Sequence, residues 1–179
     1  MTYRVRLARA ADAQLLGAVE RAAAARFAEI GLARIAQGRP TSTAEYLEAA
    51  AAGRLWVVEA ETGEDAGAVV GVAIADRLDG EGYLAEVAVH PAHAGHRLAA
   101  RMIAAVETWA AGLGCRTLSL TTFREVPWNR RYYERLGFEV LDEAAAGPEL
   151  QAIRDKERAR GVDANGPRVC MVKRIGKGS

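Results

Sequence analysis

Apolar positions along this chain switch repeatedly between the period of a strand and that of a helix. Residues 3–7 (YRVRL) alternate polar and apolar, as an edge or half-buried strand does. Asp12 stands where an N-cap belongs, ahead of Leu15, Leu16 and Val19 at helical spacing. That helix is expected to continue through an alanine-rich stretch to Phe27 and Ile30. Gly38 and Pro40 mark residues 31–40 as a loop. Thr41, Ser42 and Thr43 offer a cap for a short helix over 44–52, closed by Gly53. Residues 54–60 read as a strand, 62–67 as a Gly- and Asp-bearing turn, and 68–75 as a buried strand. The sequence DGEG at 79–82 predicts a hairpin turn, with 83–89 as its partner strand.

The stretch 83–141 organises the rest. Val87 and Val89 suit a strand buried on both faces, and His90-Pro91 ends it because proline brings no ladder donor. Gly95 opens a helix whose Leu98, Met102, Ile103, Val106 and Trp109 follow helical spacing, and Gly112 and Gly114 stop it. A strand over 115–123, a proline-led helix and a short strand reaching Leu141 follow. Pro148 begins a helix over 148–160, 161–167 is a loop, 168–175 a final strand, and 175–179 a tail expected to fray. The order βααβββαβαβαβ predicts a mixed α/β fold with one central twisted sheet, in a single domain over 1–179.

Composition narrows the function classes. The 179 residues suffice for one sizeable core, and a net charge of +1 gives no electrostatic case for nucleic acid or an acidic membrane surface. With no long apolar run and no charged-apolar leader, the chain is expected to be cytoplasmic. Cys115 and Cys170 each sit beside a strand-like run and are expected to be reduced, buried thiols. His90, His93 and His96 straddle a proline and a turn without ligand company at zinc spacing, so no metal site is expected. Arg154-Asp155-Lys156-Glu157-Arg158 reads as a solvated helix face of alternating charge.

A strand feeding a helix through a glycine-bearing turn converges N–H groups and the positive helix end on one place, which suits an anion. Neither a Walker loop nor a dinucleotide fingerprint is present. The parts VAVHP, AGHRLA, the helix through Trp109, TLSLTTF and PWNRRYYERLGF together resemble the GCN5-related N-acetyltransferase (GNAT) superfamily. They are most similar to bacterial members carrying TTFR-VPWN---Y-RLGF. The resemblance implies the acyl-CoA N-acyltransferase fold and acetyl-CoA as co-substrate. It also implies direct transfer of the acetyl group to a primary amine, without a cysteine nucleophile.

The resemblance assigns roles by position. Backbone groups of Val87, Ala88 and Val89 would pair with the pantetheine arm, and the turn Gly95, His96, Arg97, Leu98, Ala99 and Ala100 would receive the pyrophosphate. The turn departs from the family pattern: Ala94 replaces a basic or amide residue and Arg97 replaces a glycine. The Arg97 side chain could crowd the phosphates or pair with them. Asn129 would contact the cofactor, or serve as a helix cap. Tyr133, four residues before the glycine of LGF, would be the acid for the leaving thiolate, against the alternative of a core tyrosine. Glu86 would be the base, directly or beside an ordered water, against a solvated strand glutamate. Glu20 and Glu29 are lesser candidates for gripping a cationic acceptor.

The expected function is an acetyl-CoA-dependent N-acetyltransferase acting on a small-molecule amine, with a homodimer as a partner state common in the superfamily. A weakly catalytic CoA-binding or sensing domain, and a protein or peptide amine acetyltransferase, are the rival readings.

Overall fold

The computed structural model describes residues 1–176; the end of the tail expected to fray, 177–179, lies outside the described residues. Among the described residues, seven strands, β1 (Tyr3–Leu7), β2 (Leu55–Ala60), β3 (Val69–Leu78), β4 (Glu81–Val89), β5 (Thr117–Phe123), β6 (Glu139–Leu141) and β7 (Arg168–Arg174), form one mixed sheet in the order β1-β2-β3-β4-β5-β7-β6. Two compact units are distinguished, residues 1–75 with 86–106, and 76–85 with the chain from 107 onward. Among the described residues, six α-helices complete the βααβββαβαβαβ order, with one short helix more than the sequence pattern predicts. No helix among the described residues is long and apolar enough to cross a membrane.

In the first unit, β1 (Tyr3–Leu7) pairs antiparallel with β2 (Leu55–Ala60), Tyr3 opposite Ala60 and Leu7 opposite Trp56. β2 pairs antiparallel with β3 (Val69–Leu78), with a register shift between Val58 and Glu59. α1 (Ala13–Ala24) buries Ala13, Leu16, Val19 and Glu20, while Leu15 faces out. The chain then tightens into 3-10 geometry over Ala25–Ile30 and stops at the left-handed Gly31. Part of the expected loop is instead a single helical turn, α2 (Ala33–Ala36). α3 (Thr43–Ala51) begins with a capping box: Ser42 Oγ accepts from Glu45 N, and the Glu45 carboxylate accepts from Ser42 N. Leu16, Val19, Tyr46, Ala49, Leu55, Val57, Val72, Ile74 and Ala88 form the core of this unit.

Asp12 does not cap α1 through its side chain. Its carboxylate turns back to accept the Arg9 N–H at 2.7 Å and to grip Arg6 through two bonds of 2.7 and 3.0 Å. A guanidinium within reach is a stronger partner than one backbone N–H, and the Arg6 bond chiefly holds the Asp12 carboxyl below its ordinary range.

In the second unit, Asp79 and Gly80 make a two-residue hairpin turn, both left-handed with φ of 55° and 79°. This is the type I′ signature of Asp-Gly. Glu81 and Gly82 belong to β4 (Glu81–Val89), not to the turn. A Cβ on Gly82 would lie 2.9 Å from Ala110 Cβ, so the strand approaches the helix too closely for any side chain. β4 runs parallel to β5 (Thr117–Phe123) at Gly82–Leu118 and Tyr83–Ser119. β5 pairs antiparallel with β7 (Arg168–Arg174) along its length, and β6 (Glu139–Leu141) covers the other edge of β7. Ile175, expected to fray, is buried, and its N–H donates to Arg116. Cys115 and Cys170 are free and buried, and burial pushes the Cys170 thiol up to about 11.

The hairpin also caps α6 (Pro148–Ala159). Asp79 Oδ1 and Oδ2 accept the N–H groups of Glu149 (2.9 Å) and Leu150 (3.1 Å), while the Glu149 carboxylate accepts the Asp79 N–H. A Cβ on Gly147 would collide with the Asp79 carboxylate. Asp79→Ala removes two cap bonds and leaves a non-glycine, non-Asx residue in the left-handed region. It should cost about 2 kcal/mol in urea unfolding, half from the cap and half from the backbone. A loss of less than about 0.5 kcal/mol would show that the cap is idle.

Candidate active site

The turn before α4 (Leu98–Gly112) lies in the first unit. Gly95 is left-handed, with open space where a side chain would stand, and so is Arg97, with φ of 54°. A positive φ on arginine is uncommon and costs on the order of 1 kcal/mol. The position therefore keeps the backbone shape of the glycine it replaces, at the expense of strain. Arg97 C=O accepts from Arg101 N at 3.1 Å, which makes Arg97 the residue that opens the helix and leaves the N–H groups after it without intrahelical partners. Leu98 is buried, so only its backbone can serve a ligand. The His96 ring rests against Tyr3, with centroids 5.0 Å apart. His93 is buried and places Nδ1 3.1 Å from the Tyr3 hydroxyl.

Arg97→Gly should relieve the strain and raise stability by about 1 kcal/mol. If the guanidinium pairs with phosphate, the same variant should weaken coenzyme binding about tenfold. Thermal unfolding and calorimetry read the two effects separately, and tighter binding would instead mark the side chain as an obstruction.

Glu86 occupies β4 in the same unit and is half-buried. Its carboxylate accepts the Val87 N–H at 3.1 Å, so one backbone group of the Val87, Ala88, Val89 segment is already engaged by its neighbour. Glu86 also shares its surroundings with a residue that the sequence pattern did not single out. Tyr46 of α3 is fully buried, and burial is the main reason its phenol lies well above its ordinary range. The Glu20 carboxylate adds to that rise, Thr41 opposes it, and the Glu86 charge contributes further. Glu20 accepts the Thr41 N–H through Oε2 at 2.8 Å. Its Oε1 and the Tyr46 hydroxyl are both buried without a partner in hydrogen-bond geometry. Two carboxylates, those of Glu20 and Glu86, therefore lie in the surroundings of one buried phenol.

The second unit holds the other two candidates. Asn129 occupies the N-cap position of α5 (Arg130–Arg135), yet its side chain makes no capping bond, and the helix is held by Asn129 C=O accepting from Tyr132 and Tyr133. The cap alternative for its side chain is thus not realised. Tyr133 is half-buried, its ring edge-on to Phe138 at 5.8 Å and to Tyr132 at 5.6 Å. Tyr132 meets the Arg135 guanidinium instead, at 5.8 Å from its centroid.

The charged run at 154–158 is not wholly a solvated face. Arg154 is not on a solvated face; it is 2% exposed and gathers Glu143, Glu157 and Asp163 around its guanidinium. Helical spacing gives no sign of this, because the partners come from outside the run as well as within it.

A model of the acetyltransferase (GNAT) family matches residues 14–138. Among solved structures, the chain is similar to the PaiA N-acetyltransferase of Thermoplasma acidophilum in complex with coenzyme A, at a TM-score of 0.69 and 14% identity, covering 97% of this chain and 99% of that one. It is also similar to the N-acetylglutamate synthase of Neisseria gonorrhoeae complexed with coenzyme A and N-acetyl-glutamate. There the TM-score is 0.69 and the identity 21%, and the match covers 98% of this chain but 36% of that one. The ribosomal-protein-S18-alanine N-acetyltransferase of Escherichia coli matches at a TM-score of 0.65 and 15% identity, covering 99% of this chain and 97% of that one. Identities of this size establish a common fold, and the named acceptors differ among them. The family match covers well over half of the sequence: this chain belongs to the acetyltransferase (GNAT) family.

Proposed function

We propose that the chain transfers the acetyl group of acetyl-CoA directly to the primary amine of a small molecule. The observation that carries this reading is the left-handed Arg97 at the opening of α4. The chain keeps a left-handed backbone there, and the first-turn N–H groups of α4 that follow it suit an anion. Residues and coenzyme fit in kind. The first-turn N–H groups and the Arg97 guanidinium receive the pyrophosphate, joined by Gly95, His96, Ala99 and Ala100, and the backbone of Val87, Ala88 and Val89 runs beside the pantetheine arm. Asn129, its amide not spent on a cap, adds a polar contact to the coenzyme.

Acetyl-CoA supplies an activated thioester carbonyl for the amine to attack. Glu86, which shares the surroundings of Tyr46 with the Glu20 carboxylate, removes the proton from the arriving ammonium. Tyr133 donates its phenolic proton to the departing sulfur. Holding the amine in place contributes as much as proton transfer, since orientation replaces a bimolecular encounter. Each group returns to its starting protonation through solvent, and no covalent acyl-enzyme is needed.

Calorimetric titration of acetyl-CoA, with desulfo-CoA and adenosine bisphosphate as controls, tests this reading. Binding of acetyl-CoA that the adenosine fragment reproduces only in part is the expected result. Absence of binding at millimolar acetyl-CoA would overturn it.

A further inference from the structure

α1, α3 and the segment between them enclose an open cleft of about 440 Å³, lined by Gly17, Arg21, Arg39, Thr41, Thr43 and Tyr46 among others, all of the first unit. That volume lies within the range of small-ligand pockets. The formal charge in the lining is positive throughout, from Arg21 and Arg39. Glu20 is not part of the lining: it is buried, and its carboxylate accepts the Thr41 N–H and lies beside the Tyr46 phenol. Among the described residues, no carboxylate pairs with either lining guanidinium. Elsewhere in the unit, Arg6 meets Asp12 and Glu59, and Arg54 meets Glu48.

Gly17 is an independent sign that this space is kept open. It stands in the interior of α1 and is not one of the left-handed glycines. A Cβ there would meet Arg21 Nη1 at 3.4 Å and Pro40 Cγ at 3.8 Å, ordinary contact distances. Neither backbone shape nor crowding requires glycine, and in a helix interior glycine is less stable than alanine. What the missing side chain leaves is room beside Arg21 and Pro40, inside the cleft.

We propose that this cleft is a binding site for a small dianion, a phosphate monoester or a dicarboxylate. A guanidinium offers a planar fork that matches the oxygens of either group. One carboxylate balances one guanidinium. A dianion balances both, and at neutral pH a phosphate monoester carries nearly two charges. Thr43 brings a hydroxyl to the same space, while Ser42 is committed to Glu45. The inference goes beyond the acetyl-transfer reading and does not rest on it, because every residue it uses lies outside the coenzyme turn and the strand of Glu86.

The test is calorimetric titration of glycerol 3-phosphate, succinate, butyrate and glycerol into the chain without coenzyme. The two dianions should bind about tenfold or more tighter than butyrate, and glycerol should show no binding. Arg21 and Arg39 are exposed, so the double variant Arg21→Gln/Arg39→Gln should fold normally and lower dianion affinity about tenfold or more. Gly17→Ala should raise the thermal midpoint by a few degrees and weaken both dianions about threefold. Arg97→Gly is the control for phosphate held by the turn before α4, and should leave both dianions unchanged. Equal binding of butyrate, no binding of either dianion at millimolar concentration, or affinity that survives loss of both arginines would overturn the inference. So would a loss confined to Arg97→Gly, which would place the phosphate in the coenzyme turn, or a Gly17→Ala variant that is stabilised and binds as before. The ratio of succinate to glycerol 3-phosphate affinity tells which acid the cleft prefers.

Discussion

Tyr133→Phe is expected to lower kcat by about a hundredfold while leaving the Kd of acetyl-CoA within about twofold. The substitution removes one oxygen and keeps the ring. That ring packs edge-on against Phe138 and Tyr132, and the Tyr133 C=O closes α5 by accepting from Leu136 and Phe138, contacts that the substitution keeps. A general acid acts only as the sulfur departs, so its loss should appear in turnover and not in ground-state binding. The pH profile supplies a second readout: the alkaline limb of kcat, if it reports the phenol, should disappear in the variant. Equal losses in kcat and in coenzyme affinity would sink the acid assignment and leave Tyr133 a packing residue. Tyr132→Phe is the useful comparison, because neighbouring helical positions point about 100° apart and cannot serve the same sulfur.

Arg154→Ala is expected to cost about 3 kcal/mol or more of unfolding free energy, the cost of breaking a buried ion pair from one side. Arg154 Nη1 and Nη2 hold Asp163 at 3.1 and 2.7 Å, Nη1 also donates to Glu157, and Nε faces Glu143 at 3.5 Å. Arg168 shares Glu157 through bonds of 3.0 and 2.8 Å and reaches Thr121, so the network joins α6 and the 3-10 turn at Val162–Asn165 to β7 and β5. Removing the central guanidinium leaves three carboxylates with less than their balance of positive charge. Asp163 is about one-third exposed, so solvent screens its share, and the buried cation carries most of the loss.

The pH dependence has a definite sign. Asp163 lies below its ordinary carboxyl range, chiefly through its hydrogen bond to Arg154. A carboxylate depressed in the fold contributes stability that is complete above its unfolded value near 4 and lost as pH falls through the folded one. The native chain should therefore lose stability on acidification below about pH 4, and Arg154→Ala should flatten that limb. Urea unfolding at several pH values measures both effects. A variant less than about 1 kcal/mol weaker, with an unchanged acid limb, would show that the network is ornamental.

Local rules were enough for much of this protein. The element order, the Asp79-Gly80 turn, the buried stripe of α4 and the positions of Glu86, the 95–100 turn and Tyr133 all follow from spacing and from motifs that are contiguous in sequence. Such features depend on neighbours within a few residues, and those are what a sequence displays. The short helical turn at Ala33–Ala36 escaped because glycine and proline punctuation outweighs a four-residue signal.

What only the tertiary structure decided concerns charge and burial. Asp12 looked like a cap and became the partner of Arg6; Arg154 looked solvated and became a buried hub. Tyr46 looked like one more helix residue and became the buried neighbour of Glu20 and Glu86. Each outcome turns on residues from other elements that share its space, and on desolvation, which has no local spacing. Arg97 shows both sides. Its sequence position marks it as the occupant of a glycine site, but only the folded backbone, at φ of 54°, reveals that it accepts the glycine's conformation.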